Sequence, residues 1–313
     1  MAKGPGKAFR QGLTLLDVAR MFPDDAKAEE WFARTRWPDK PSCPHCDSVN
    51  VLSGAKHKTM PYRCREKGCR KRFSVRTGTV MQDSKLGYQV WVVAVYLMTT
   101  GIKGTSSMKL HRDLGITQKS AWHLAHRIRE TWQHAQPAFV GPVEVDETYV
   151  GGKEANKHAK KKLRAGRGKV GKFAVAGIRD RATGKVSAQV VADTTKATLQ
   201  SFIKLRSIPG IEIYSDEWWG YHGMPNRTVV KHGVGQWVDG QAHTNGLESF
   251  WSLMKRGYTG TYHKMSGKHL NRYVGEFAGR FNDRQLDTID QMTAMVHGML
   301  GKHLSYDQLK GAA

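Results

Sequence analysis

Apolar and polar positions alternate with two periods along this chain, and the change of period divides it. Within Leu13–Arg36, Ala28, Trp31, Phe32 and Thr35 form a helical stripe that Asp24 is placed to cap. Trp37-Pro38-Asp39 ends that helix, because the residue before proline is pushed out of the α region. Lys85–Thr100 carries a second stripe, Trp91, Ala94, Val95 and Met98. Ser106–Leu114 and Gln118–Trp132 are two further helices, joined by a tight turn at Gly115-Ile116-Thr117, and Trp122, Ala125, Ile128 and Arg129 mark the second of them. Residues 137–142 are a linker, after which the period drops to two. Val143–Val150, Phe173–Arg179 and Val186–Ala192 are strands, the last two joined by the hairpin loop Asp180–Gly184. A helix at Thr195–Leu205, a strand at Ile211–Ser215 and a short strand at Arg227–Lys231 follow. His243–Arg256 is an amphipathic helix with Leu247, Phe250, Trp251 and Met254 inward, and Ile289–Leu304 is a plain amphipathic helix.

This order predicts an α+β multidomain protein. We divide it into an N-terminal helical segment (1–41), a zinc ribbon (42–76) and a helix-turn-helix domain (77–136). A catalytic domain (137–285) and a C-terminal helix (286–313) complete it. Three antiparallel strands, a helix, a parallel strand and a late helix form a ribonuclease-H-like order, a mixed sheet flanked by helices. In the helix-turn-helix, small polar residues opening the second helix face base edges. Gln118, Lys119 and His123 are the expected readers, with Arg127 and Arg129 nearer phosphates. An ordinary helical hairpin is the alternative, and the basic surroundings favour the DNA reading.

The four cysteines all fall within Cys43–Cys69, as Cys43-Pro-His-Cys46 and Cys64-Arg-Glu-Lys-Gly-Cys69. Two thiol pairs on tight turns suit one structural zinc better than a disulfide scaffold. The other reading is four reduced, buried thiols.

Lys and Arg number 50 against 27 Asp and Glu, a formal charge of +23 that calls for a polyanionic partner, nucleic acid first. No apolar run is long enough to span a bilayer and the N-terminus has no signal-peptide core, which points to a cytoplasmic, nucleoid-associated protein without a membrane role. Between the first two strands, Gly151–Lys172 is a basic, glycine-rich insertion expected to be largely structureless, with Lys160, Lys161 and Lys162 placed to neutralise phosphates.

The chemistry centres on three acids. Asp146 ends a β-branched run, Asp216 ends another, and Glu248 lies on the late helix. Two strand-borne aspartates and a helix-borne glutamate can hold a pair of divalent ions for an in-line phosphodiester displacement. Magnesium, or manganese in its place, fits the oxygen donors. Asp146 bridges the ions in this reading, while Asp216 and Glu248 complete one shell each. Glu147 and Glu217 compete by adjacency but point to the other face of their strands. Lys255 lies two turns beyond Glu248 on the same side, as a phosphate contact. Asn245-Gly-Leu-Glu248 also matches a capping box, in which we expect Asn245 to be the cap and Glu248 the ligand.

The motifs RWPDKPSCPHC, FSVRTGTV, DLGITQKSAWHLAHRIRE, VEVDETYVGGKE, YSDEWWGY, HTNGLESFWSLMKRG and GTYHKMSGKHLNRYVGEFAGRFNDR resemble those of DDE-type insertion-sequence transposases. The group is the zinc-ribbon, ISXO-like one, related to the Merlin elements. That resemblance implies catalytic Asp146, Asp216 and Glu248, zinc on Cys43, Cys46, Cys64 and Cys69, and Lys255 as a fourth motif position. It also implies cleavage at terminal inverted repeats and joining of 3′-hydroxyls to target double-stranded DNA, by a homo-oligomer in the synaptic complex. Some members carry asparagine as the third motif letter, and Asn245 stands one turn before Glu248. The competing classes are a transposase-derived DNA-binding regulator, which predicts a lost acid, and a nuclease or resolvase on the same fold.

Overall fold

The computed structural model describes residues 11–133, 138–152, 154–163, 168–230 and 244–311. Pro137, Lys231, His243 and the centre of the basic insertion lie outside them. The chain forms two compact units: one runs to Gln133 and takes in the residues from Arg284 onward, and the other ends at Asp283.

The first unit opens with α1 (Leu15–Met21) and α2 (Asp25–Arg36). The single helix expected over Leu13–Arg36 is therefore two. Pro23 forces Phe22 out of the α region, to φ −127° and ψ 66°. Asp24 then restarts the helix, its carboxylate accepting from the Lys27 amide at 2.8 Å. The ribbon follows as a three-stranded antiparallel sheet, β1 (Val51–Leu52), β2 (Tyr62–Cys64) and β3 (Arg72–Phe73). Next come α3 (Tyr88–Thr100), α4 (Ser107–Leu114) and α5 (Gln118–Glu130). Trp91, Ala94, Val95 and Met98 of α3 are fully buried, as their spacing requires. Gly115 ends α4 at φ 63°, in the left-handed region, and Thr117 caps α5.

In the second unit the strands are β4 (Val143–Val150), β5 (Phe173–Asp180), β6 (Val186–Val191), β7 (Ile213–Ser215) and β8 (Arg227–Val229). Helix α6 (Lys196–Lys204) precedes β7, while α7 (Asn245–Gly257) and α8 (Gly267–Asn282) follow β8. The sheet order is β6-β5-β4-β7-β8; β4 runs antiparallel to β5 and parallel to β7. Alternation along β4 assigns its two faces. Val143 and Val145 pack with Leu199, Phe202 and Ile203 of α6. Val150 packs with Leu247, Phe250, Trp251 and Met254 of α7.

The described part of the insertion is less shapeless than its composition suggests. It holds two short 3-10 turns, Glu154–Asn156 and Ala159–Lys161. Glu154 organises them by pairing with Lys157 at 2.5 Å and accepting from the Leu163 amide. Lys160, Lys161 and Lys162 stay exposed.

The C-terminal segment returns to the first unit. It forms α9 (Thr288–Gly298) and α10 (Tyr306–Lys310), in place of one helix over Ile289–Leu304. Met292, Met295, Val296 and Met299 belong to the same core as α2, α3 and α5. No helix among the described residues is long and apolar enough to cross a membrane.

Candidate functional site

The ribbon brings its four thiols together. Cys43 and Cys69 Sγ are 3.7 Å apart, and Cys46 and Cys64 Sγ are 3.6 Å apart. Four thiolates about 2.3 Å from one zinc stand about 3.8 Å from each other, so the spacing fits the metal without rearrangement. Both knuckles close alike, with the residue after the second cysteine left-handed: Asp47 at φ 57° and Arg70 at φ 49°. Neither is glycine, so each turn costs roughly 1–2 kcal/mol of backbone energy that the cluster has to offset. His45 stays outside this cluster.

Asp146 lies on the even-numbered face of β4, toward α7. The Trp251 Nε1–H donates to its Oδ2 at 2.9 Å and the Glu147 amide to its Oδ1 at 2.8 Å. Gly177 faces Asp146 across the β4–β5 ladder, and a Cβ there would stand 2.6 Å from the Trp251 ring. The missing side chain is what lets the indole reach the carboxylate. The parallel ladder pairs Glu144 with Tyr214; continued by two residues, it sets Asp216 beside Asp146 on the same face. Burial, and after it the charges of Glu147 and Asp216, raise Asp146 to about 7. Burial also raises Glu147, against the hydrogen bond that Tyr221 donates to it at 2.6 Å on the α6 side.

Helix α7 supplies the rest. Glu248 and Lys255 line one open cleft of about 650 Å³ together with Asp146, Glu147, Thr148 and Trp251. Glu248 is exposed and accepts from the Thr244 hydroxyl at 3.1 Å. Asn245 is the first helical residue and not the cap, which is Thr244. Thr244 makes no side-chain cap bond to the backbone; its hydroxyl donates to Glu248. Among the described residues, the cysteines are the group whose ligand atoms all fall within 4.8 Å of one another. Asp146, Asp216 and Glu248 do not form such a group. Their donor set is all oxygen, and a cation would relieve the repulsion and burial that raise Asp146.

The expected DNA readers divide. Gln118 and Lys119 are exposed at the start of α5. His123 is half-buried, its Nε2 at 3.0 Å from the Leu304 carbonyl. Arg127 and Arg129 do not face outward: both are buried, and Arg127 donates to the Leu304 and Gln82 carbonyls at 3.1 and 2.9 Å. The C-terminal segment, distant in sequence, takes up this part of α5. Sequence reasoning also missed Glu144, Gly177 and the polar role of Trp251. Only strand parity, which puts Glu144 on the face of Asp146, hinted at the first.

Both units match families of known proteins. Residues 23–72, from Pro23 through β3, match the transposase zinc-ribbon domain, and residues 139–282, nearly the whole second unit, match the ISXO2-like transposase domain. The chain belongs to this family of insertion-sequence transposases. A relative from Halobacterium salinarum, described as an uncharacterized protein in transposable element ISH50, is 26% identical over 273 residues, covering 82% of this chain and 91% of the relative.

Proposed function

We propose that the chain is a DDE transposase that binds the terminal inverted repeats of its element, cuts there and joins the freed 3′-hydroxyls to target DNA. The observation that carries this reading is the convergence of Asp146, Glu248 and Lys255 on one cleft, with Asp216, the residue after β7, close enough to raise Asp146. The sheet order, with the antiparallel β5–β6 hairpin on one side of β4 and β7 and β8 running parallel to it on the other, supports a ribonuclease-H-like domain. Asp146, Asp216 and Glu248 would hold magnesium or manganese, which when bound activates the attacking oxygen and stabilises the leaving one.

The chain's own groups do the positioning. Trp251 and the Glu147 amide fix the two oxygens of Asp146, and Thr244 fixes Glu248. Lys255, a donor that cannot bind a cation while protonated, faces the phosphate. In the first unit, α4 and α5 serve as a helix-turn-helix, with Gln118 and Lys119 reaching base edges. Lys160, Lys161 and Lys162 contact backbone phosphates. Two element ends must meet for joining, so the working form is a homo-oligomer.

Incubating wild type and Asp216→Asn with end-sequence DNA and magnesium tests this. Wild type should nick and join the ends, and the variant should bind them while doing neither. Joining by Asp216→Asn at the wild-type rate overturns the assignment.

A further inference from the structure

We infer that Glu144 is a positioning residue: a buried carboxylate on β4 that holds the first turn of α7, and with it Glu248, in register with Asp146. The inference rests on the reading of Asp146 and Glu248 as metal ligands.

Glu144 is fully buried, and a carboxylate out of water has to be paired. Its Oε1 accepts from Arg179 Nη1 at 2.9 Å and Arg181 Nε at 3.3 Å. Its Oε2 accepts from the backbone amide of Leu247 at 3.0 Å. Leu247 is in the first turn of α7, where its amide is shared between Glu144 and the Thr244 carbonyl, 3.0 Å away, and where a negative charge is favoured by the helix dipole. Thr244 gives the helix no side-chain cap, and its hydroxyl donates to Glu248. A carboxylate from a strand does the capping instead.

A second hydrogen bond joins the same pair of elements. Glu144 binds the Leu247 amide, and Asp146 binds the Trp251 indole. Two residues along a strand advance about 6.7 Å. Four residues along a helix advance about 6.0 Å. The two spacings match, so the pair of contacts fixes how far α7 slides along β4. Glu248, the residue after Leu247, is carried to a set height beside Asp146. Glycine leaves room on both sides: a Cβ on Gly246 would strike the Arg179 guanidinium that holds Glu144, and one on Gly177 would strike the Trp251 ring. A buried ion pair that only filled the core would require neither the helix amide nor this register.

The test is a magnesium titration of end cleavage by the zinc-loaded full chain, together with manganese binding followed by electron paramagnetic resonance. Glu144→Gln keeps the volume but removes the charge that holds the arginines and the amide. The magnesium needed for half-maximal cleavage should rise about 10- to 100-fold, the usual effect of disturbing groups that orient metal ligands. Manganese should weaken in parallel, while end-DNA binding is kept. Gly246→Ala, which leaves Glu144 in place but crowds Arg179 off it, should shift both titrations the same way. It decides the matter if Glu144→Gln does not fold. Wild-type metal dependence in the folded variants overturns the inference. Asp146→Asn run alongside separates the two readings. If it still cleaves and binds manganese, the ligand assignment falls; if it is dead while the other variants titrate normally, only the positioning role falls.

Discussion

Asp146 is held from both sides, by an indole and by the next amide, in surroundings that make its charge costly without a cation. Its carboxyl is raised from the ordinary 3.8 to about 7. The folded chain therefore binds a proton there more tightly than the unfolded chain does. The stability this gives is complete below about pH 4 and is lost as pH rises through about 7. Asp146→Asn mimics the protonated form at every pH. In magnesium-free buffer its melting temperature should match wild type near pH 4 and exceed it increasingly toward pH 8. Melting curves across that range check this, and a constant difference would refute it. The acids were legible in the sequence because each ends a β-branched run or sits on an amphipathic helix, and Lys255 because seven residues make two turns. Their supports were not. The Glu144–Leu247 and Asp146–Trp251 bonds link residues 103 and 105 positions apart. Thr244 was passed over as the cap because Asn245 fits a local capping rule.

At the scale of whole elements, local signals were read well and long-range packing was not. The ribbon's cysteine spacing, the left-handed Gly115 and the caps at Asp24 and Thr117 are set by neighbouring residues. The break between α1 and α2 is also local, at Pro23, yet the single helix expected over Leu13–Arg36 runs through it. The place of α9 and α10 depends on what they meet. Met292, Met295, Val296 and Met299 are buried in the core that the N-terminal helices share. Each such side chain contributes about 1.5–3 kcal/mol on burial. Their combined contribution is comparable to the whole margin of a typical domain, about 5–15 kcal/mol. A chain ending at Asp283 should therefore show collapsed hydrogen-exchange protection in α3 and α5 with the β4–β7 sheet still protected. Unchanged protection in α3 would contradict the shared core. The same segment explains why Arg127 is buried: it donates to the Leu304 carbonyl.

For the whole molecule, a formal charge of +23 points to a polyanionic partner, in keeping with the transposase family. Part of that charge is internal, in Arg127, Arg129 and Arg280, so net charge overstates what DNA can meet. The exposed lysines of the insertion are a better guide. Replacing Lys160, Lys161 and Lys162 by alanine should lower the log–log salt slope of end binding by about one for each phosphate no longer neutralised. An unchanged slope would leave them without a part in binding. The proposed function requires that Asp146, Asp216 and Glu248, far apart in sequence, share one metal site. Iron(II) bound in place of magnesium, with ascorbate and peroxide, generates hydroxyl radicals that cut the backbone next to the ion. Cuts should appear near residues 146, 216 and 248 together, be suppressed by magnesium and disappear in Asp146→Asn. Cuts that miss any one of the three segments, or that persist in excess magnesium, would contradict it.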